Sequence, residues 1–225
     1  MNKKIAVMML GILFFLPIAG NAQGVWGGQS TANLYVGVGS ALGKSGMEVD
    51  GQNLSWGNIG GELGLSYLYF ASPYLALGAD LHYAGFAGSQ TVEDVPGWWH
   101  WHTLETDFET NTLHVMGIGR LTINPDSQVR LYVPFGAGVA FSEGKMSYKW
   151  DDHEYYSAES YDTSLSWYAG VGLEFETSNR LAWSIEARYN SFSHDYDEMT
   201  DYMNGHIVDT NPERNYVSLV INCRF

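Results

Sequence analysis

The stretch NYVSLVINCRF, residues 215–225, ends the chain and shows the pattern that decides the fold. Val217, Leu219, Ile221, Cys223 and Phe225 alternate with residues that are mostly polar. Successive side chains of a β-strand point to opposite faces, so the segment has one apolar face and one mostly polar face. The stretch therefore predicts an amphipathic β-strand at the carboxyl end.

The same alternation recurs along the rest of the chain. It predicts strands near residues 31–41, 58–70, 74–86, 110–123, 129–141, 164–175, 181–192 and 215–225. Segments of this length suit strands that cross a bilayer at a tilt, which needs ~9–11 residues in the apolar zone. The fold class predicted is all-β with eight strands.

The connections between these strands alternate in length. Tight turns fall at 71–73, 124–128 and 176–180, whereas long segments occupy 42–57, 87–109, 142–163 and 193–214. Membrane barrels have short periplasmic turns and long extracellular loops. The spacing predicts an antiparallel up-and-down transmembrane β-barrel. The alternative is a secreted sandwich or lipocalin-like barrel whose apolar face points inward.

The amino-terminal residues have the features of a secretory signal. Lys3 and Lys4 precede an apolar run of about 14 residues, followed by the small-residue site Gly20-Asn21-Ala22. The run is short of the ~20 residues that span a bilayer as a helix. We expect a cleaved signal peptide at 1–22 and one barrel domain at 23–225.

Charge limits the possible partners. Removal of Lys3 and Lys4 leaves nine Lys and Arg against 25 Asp and Glu, a net charge of −16. This excess of acid disfavours binding to nucleic acid or to anionic headgroups by simple attraction. Cys223 is the only cysteine, so no disulfide can form within the chain.

No charged residue falls on the apolar face of the eight predicted strands, as a barrel requires, because a midplane charge costs ~2–4 kcal/mol. Eight strands enclose an interior that side chains just fill. The charges on the polar face therefore predict a structural lumen network of ion pairs, with a gated ion path as the alternative. Four acids and four arginines belong to it: Glu62, Asp80, Glu174, Glu186, Arg120, Arg130, Arg188 and Arg224.

Aromatic residues of the apolar face cluster near the strand ends, as expected where rings meet lipid headgroups. One belt is predicted at the short turns and another at the long segments. The first comprises Tyr69, Phe175, Trp183 and Phe225, and the second Tyr83, Phe141, Trp167 and Tyr189.

The long segments are rich in aromatic and acidic residues, which suits a binding surface because exposed rings supply contact area at low entropic cost. The alternative is that the strands continue above the membrane and the rings pack on one another. His and carboxylate residues occur there without a complete set of metal ligands, so no bound metal or cofactor is predicted. The alternative hypothesis is a diffuse role, in which divalent ions bridge the acidic loops to lipopolysaccharide phosphates. The possible binding surface comprises Trp98, Trp99, Trp101, Trp150, Tyr155 and Tyr156.

The chain resembles the small eight-stranded outer-membrane barrels of the OmpA/OmpX type, as a member with the barrel alone. The resemblance is most pointed in 131–141 (LYVPFGAGVAF), 184–189 (SIEARY) and the final strand. It implies a bacterial outer-membrane location among lipid and lipopolysaccharide. The final strand resembles the signal read by the barrel-insertion machinery, carried by Tyr216, Leu219, Ile221 and Phe225.

Some barrels of this size acylate or deacylate lipid A, which makes a lipid-modifying enzyme the alternative function. Such chemistry needs a Ser–His pair or equivalent catalysts at the outer leaflet. Ser193 and His194 are adjacent, so on a strand they point to opposite faces. We therefore expect a non-enzymatic protein that presents acidic, aromatic segments for envelope structure, adhesion or binding of an unknown extracellular ligand.

Overall fold

The computed structural model describes residues 28–42, 46–49, 52–55, 59–96, 101–150, 153–178, 181–193, 208–210 and 213–225. The predicted signal peptide lies outside these residues. Within the described residues, no helix has the length and apolarity needed to cross a bilayer. The strands are β1 (Gln29–Leu42), β2 (Gly46–Val49), β3 (Gln52–Ser55), β4 (Ile59–Phe70), β5 (Leu75–Pro96), β6 (Trp101–Thr122), β7 (Val129–Trp150), β8 (His153–Ser178), β9 (Leu181–Ser193), β10 (Val208–Thr210) and β11 (Glu213–Arg224).

Eight strands form a closed barrel, in the order β1, β11, β9, β8, β7, β6, β5, β4 and back to β1. Every neighbouring pair is antiparallel. Closure leaves the barrel no unpaired sheet edge at this level, which satisfies the backbone hydrogen bonds that a membrane would not. The predicted eight-stranded up-and-down barrel is confirmed.

The alternation of apolar and polar residues in the sequence corresponds to an alternation of exposed and buried side chains along the barrel strands. Leu34, Val36 and Val38 of β1 are exposed, whereas Tyr35 between them is buried. The other barrel strands show the same alternation, with an outer face that is mostly apolar and an inner face that carries most of the polar side chains. A continuous apolar outer surface requires lipid around it. This excludes the secreted barrel with an inward apolar face.

Four strands run well past the lengths predicted from sequence. The segments 87–109 and 142–163, expected as loops, are mostly strand: β5 reaches Pro96, β6 begins at Trp101, β7 reaches Trp150 and β8 begins at His153. Outside a bilayer the outer face of a strand meets water in place of lipid, so polar residues can occupy both faces and the apolar alternation fades while backbone pairing continues. We call this extension the wall; it comprises residues 88–96, 101–109, 142–150 and 153–165. From Phe141 to Trp150, β7 rises about 30 Å.

The other two long segments contribute a small separate sheet. β10, β2 and β3 form three antiparallel strands in that order. None was predicted from the sequence. At the opposite end of the barrel the connections are short, as predicted: residues 71–74 join β4 to β5, 123–128 join β6 to β7, and two residues join β8 to β9.

The Asn124 side chain connects the turn at 123–128 to the strand that follows it. The Asn124 amide donates to the Val129 carbonyl oxygen at 2.9 Å and accepts from the Leu131 N–H at 2.6 Å. Both groups belong to the start of β7, so Asn124 fixes where that strand begins.

Candidate functional site

The eight charged residues assigned to the lumen are all buried inside the barrel, each at 8% exposure or less. Strand alternation places them there: each sits on the inward face of its strand, between residues that point to lipid. Arg214, at the start of β11, is a further buried arginine that the sequence assigned to a loop.

Glu174 of β8 is the centre of the lumen floor, near the short turns. Its carboxylate accepts from Arg120 Nη1 at 2.6 Å and from Arg130 Nη1 at 3.1 Å, and Arg224 Nη1 lies 3.4 Å away. Arg130 also pairs with Glu176 and donates from Nε to the Pro125 carbonyl oxygen at 2.9 Å. Three strands and one turn are thus tied to a single carboxylate.

A second ion pair lies higher in the lumen. Arg188 donates from Nε to Glu186 Oε2 at 2.6 Å, and Tyr132 donates to the other oxygen at 2.6 Å. The Arg188 guanidinium lies over the rings of Tyr35 and Tyr168, at 4.4 Å and 5.0 Å from their centroids. The two rings shield this cation from solvent and interact with its charge.

Equal numbers of acids and arginines do not produce one-to-one pairs. Three arginines share Glu174 at the floor, whereas Arg188 pairs with Glu186 higher up. Tyrosine hydroxyls compensate there. Besides Tyr132 on Glu186, Tyr35 donates to Asp80 at 2.8 Å and Tyr216 to Glu62 at 3.4 Å.

Glycines make room for these tyrosine rings. An added Cβ at Gly64 would lie 2.2 Å from the Tyr35 ring, and one at Gly172 would lie 2.3 Å from the Tyr132 ring. Each glycine is the direct cross-strand partner of the ring it accommodates. The lumen is therefore packed by interlocking side chains and not left open.

Two histidines form a buried polar chain that sequence reasoning missed. His82 Nδ1 lies 2.7 Å from Asp80 Oδ2, and the His82 ring stacks on His114 with centroids 4.2 Å apart. His114 Nδ1 lies 2.9 Å from Ser166 Oγ. The sequence argument weighed only Ser193 with His194 and did not anticipate this contact. The two residues are 52 positions apart in sequence, so the only indication of the contact was that each lies on the inward face of its strand, β6 or β8.

Aromatic and small apolar side chains lie beside the histidines, toward the wall. Phe192 meets His114 edge-on at 5.3 Å and packs in a cluster with Tyr216, Ala84, Ala140 and Phe86. Below them, among Tyr132, Tyr168 and Arg188, is a cavity of ≈ 20 Å³, about enough for one water. Side chains therefore fill most of the lumen at this level.

The outer surface of the wall carries charges close to the belt that includes Phe141. Lys145 Nζ lies 3.4 Å from Glu143 Oε1 and 3.2 Å from Glu159 Oε1. Tyr161 donates to the same two carboxylates at 3.1 and 3.3 Å. The hydrogen bond from Lys145 to Glu159 and the nearby Glu143 charge raise the pKa of the Lys145 ammonium group. The network is exposed and carries a net negative charge.

The predicted aromatic binding residues are only partly described. Trp98 and Trp99 lie outside the described residues. Trp101 pairs with Pro96, and Trp150 pairs with Leu104 and with His153. Tyr155 and Tyr156 belong to β8. The four described positions are on strands near the tips of the two hairpins, not on irregular loops.

The predicted assembly residues are divided between the two faces of β11. Leu219, Ile221 and Phe225 point to lipid, whereas Tyr216 points into the lumen and bonds Glu62. Phe225 also closes the barrel through two backbone hydrogen bonds with Ala32, at 3.0 and 3.1 Å. Within the described part of the chain, no three His, Cys, Asp or Glu side chains are placed to hold a metal ion.

Residues 13–225 match the family model described as the outer membrane protein β-barrel domain. The chain belongs to this family and is a protein of the bacterial outer membrane. Comparison with curated proteins finds no match.

Solved structures of similar shape include three outer-membrane barrels. Ail of Yersinia pestis, in complex with the heparin analogue sucrose octasulfate, is 18% identical with a TM-score of 0.46 and covers 87% of this chain and 99% of its own. Neisserial surface protein A is 14% identical with a TM-score of 0.49, covering 87% and 95%. OprG of Pseudomonas aeruginosa is 15% identical with a TM-score of 0.47, covering 90% and 98%. None of these likenesses bears on ligand or activity.

Proposed function

We propose that the protein is a non-enzymatic surface-binding barrel whose wall, on β5 to β8, is the element that meets partners outside the cell. One observation carries the proposal: four adjacent strands continue past the Phe141 belt as paired sheet, while the barrel below them is packed shut. Short turns of outer-membrane barrels face the periplasm, which puts the wall outside. Envelope structure or adhesion would use the same surface.

The packed lumen supports this proposal over transport. The ion pairs at Glu174 and Glu186 occupy the interior at two levels, and the aromatic cluster around Phe192 lies toward the wall. Eight-stranded barrels have interiors that side chains just fill. A protein built this way acts through its outer surface.

A lipid-modifying enzyme is the second candidate, favoured by the contact between His114 and Ser166. Both side chains are buried in the lumen, at 1% and 3% exposure, whereas lipid acyl chains lie outside the barrel, on the other side of its β-sheet. A nucleophile must reach its substrate to react. Ser166→Ala should therefore leave lipid A acylation, read by mass spectrometry, unchanged; a changed acyl number would establish the enzyme instead.

Trimming the wall tests the proposal directly. Residues 88–109 and 143–161 are replaced by Asn-Gly turns, which suit two-residue hairpins. The matched control shortens 43–58, outside the wall. Both variants should show the heat-modifiable band of a folded barrel. We expect only the trimmed wall to abolish attachment of cells to immobilised matrix proteins and glycans; equal attachment by both variants would refute the proposal.

The partners of assembly remain a prediction. The protein lies among outer-membrane lipid and lipopolysaccharide, and Phe225 would be read by the insertion machinery. Deleting Phe225 should leave less folded protein in the outer membrane, measured as heat-modifiable band. Unchanged insertion would contradict the assigned role of the final strand.

A further inference from the structure

The cavity among Tyr132, Tyr168 and Arg188 is lined by two unsatisfied donor groups in the described part of the chain. Asn222 and Arg188 both line it, at 4% and 5% exposure. Asn222 Nδ2 and Arg188 Nη1 have no hydrogen-bond partner among the described residues. A buried polar group is normally satisfied by protein, water or a bound ion. Both atoms are N–H donors, so an occupant that satisfies them must accept hydrogen bonds.

Acceptors beside the cavity are already engaged. Glu186 is the carboxylate that lines it, and its two oxygens accept from Arg188 Nε and from the Tyr132 hydroxyl, each at 2.6 Å. Ser66 Oγ accepts from Asn33 Nδ2 at 3.0 Å. A water molecule in the cavity would need acceptors for its own protons, in competition with these bonds. An ion that only accepts has no such need.

The positive charges around the cavity outnumber the negative ones. Arg120 also lines the cavity and shares Glu174 with Arg224, and their Nη1 atoms lie 2.6 and 3.4 Å from that carboxylate. The other two arginines of the lower lumen have a further acid each, in the pairs Arg188–Glu186 and Arg130–Glu176. One positive side-chain charge is therefore in excess at this level among the described residues. A buried charge without a counter-charge is costly.

The lumen acids closer to the wall are engaged with other groups. The Tyr35 hydroxyl donates between the two oxygens of Asp80, at 3.0 and 2.8 Å, and Asp80 Oδ2 lies 2.7 Å from His82 Nδ1. Glu62 accepts from Tyr216 at 3.4 Å. Neither acid lines the cavity. The excess positive charge therefore stays at the level of the cavity.

We propose that this cavity binds a single monatomic anion, chloride, held by Asn222, Arg188 and Arg120. N–H groups of an amide and of guanidinium ions form charge-assisted hydrogen bonds with an anion. A volume of ≈ 20 Å³ admits an occupant of about the size of one water, which excludes phosphate and sulfate. The anion connects β6, β9 and β11 through the lumen and is independent of the wall and of its partners.

The first test refolds the full barrel from urea into detergent micelles in sodium chloride, bromide or gluconate at equal ionic strength. Gluconate is too large for the cavity. A ligand that binds only the folded state lowers the unfolding constant about tenfold when it is present at ten times its dissociation constant. We expect the urea midpoint to rise with chloride and bromide and not with gluconate. Equal midpoints in the three salts would mean that water occupies the cavity, which overturns the proposal.

A matched pair of variants locates the effect. Asn222→Leu removes one donor of the site. Asn190→Leu is the control, because Asn190 is equally buried on the inward face but does not line the cavity, and bonds Ser218 instead. Only Asn222→Leu should lose the rise of the midpoint with chloride. A rise that persists in Asn222→Leu, or that disappears in both variants, would contradict the assignment.

Asn222→Asp places a fixed negative charge where the anion is proposed to bind. We expect this variant to unfold at a higher urea concentration than the unchanged protein in gluconate, and to show no dependence on chloride. A lower midpoint in gluconate would show that the cavity has no excess positive charge to neutralise, and the proposal would fall.

Bromide gives the position directly and does not depend on any variant. Crystals of the unchanged protein grown in sodium bromide should show an anomalous scattering peak beside Arg188 Nη1 and Asn222 Nδ2. The absence of a peak in the cavity, with or without peaks on the outer surface, would refute the site.

Discussion

Glu174 and Glu159 lie fifteen positions apart on the same strand, β8, and their surroundings differ completely. The Glu174 side chain is 2% exposed and pairs with three arginines inside the barrel. The Glu159 side chain is 51% exposed and shares one lysine with Glu143 on the wall. Fifteen positions is an odd number, so Glu174 points into the lumen and Glu159 points outward, and the difference comes from the face of the strand together with barrel closure.

Closure changes what an ion pair contributes. Inside the lumen an unpaired charge has no water to solvate it, so removing one partner is costly. On the wall, water and salt replace a lost partner at little cost. The sensitivity of a charged residue to substitution should therefore follow the face of β8 on which it lies and its height along the strand.

The largest effect is expected at the lumen floor. Glu174→Gln removes the carboxylate shared by Arg120, Arg130 and Arg224, and leaves buried cations with no full counter-charge. Breaking a buried pair this way costs about 3–5 kcal/mol. Urea unfolding of the barrel in detergent micelles measures the loss. A change no larger than that of a wall substitution would show that water reaches the floor.

Arg188→Leu should destabilise the barrel somewhat less, by about 3 kcal/mol, the lower end for a buried pair. Tyr132 still donates to Glu186 in this variant, so one oxygen of the unpaired Glu186 carboxylate keeps its hydrogen-bond partner. Lys149→Leu on the wall is the matched control and should barely shift the unfolding midpoint. Similar shifts for both would mean that Arg188 meets solvent.

Gly64→Ala tests the interlocking of the lumen without changing charge. The added Cβ would meet the Tyr35 ring at 2.2 Å, and overpacking of this kind costs about 1–3 kcal/mol. Gly61→Ala on the same strand is the control, because its Cβ would point outward with no atom nearer than 3.8 Å. Thermal loss of heat-modifiability compares the two; equal values would argue against tight packing at Tyr35.

The smallest effect is expected for Glu159→Gln. The pair with Lys145 is exposed and screened, so the unfolding midpoint should stay where it is. The pKa of Lys145 should fall toward its ordinary value, because the Glu159 hydrogen bond raises it. A raised lysine pKa stabilises at neutral pH and loses that effect only as the pH rises through the raised value. NMR titration of the Lys145 ammonium group checks the direction.

The sequence was sufficient for the barrel because lipid and lumen impose opposite demands on alternate residues. Leu34, Val36 and Val38 face lipid and Tyr35 faces inward, as the alternation predicted. The wall could not be read in this way. Beyond the bilayer its outer face meets water in place of lipid, so 142–150 and 153–163 lose the apolar alternation although they remain paired to each other.

The sequence predicted which charged residues line the lumen, but not which of them contact one another. Inward parity identified the acids and arginines, but only the register shows that three arginines converge on Glu174. The contact of His114 with Ser166 has the same origin, since it joins strands that are not neighbours in the barrel. Distances across a closed barrel depend on tilt and shear, which local patterns do not contain.

The tyrosine–glycine pairs also determine which alignment of neighbouring strands is acceptable. A slip by one residue would turn every apolar side chain inward and is excluded by the membrane. A slip by two residues keeps each face intact, so the apolar pattern cannot detect it. Such a slip would set Tyr35 against Glu62 or Ser66 in place of Gly64, with no space for the ring. The pairs therefore allow a nascent barrel to reject misalignments that its hydrophobic surface would accept.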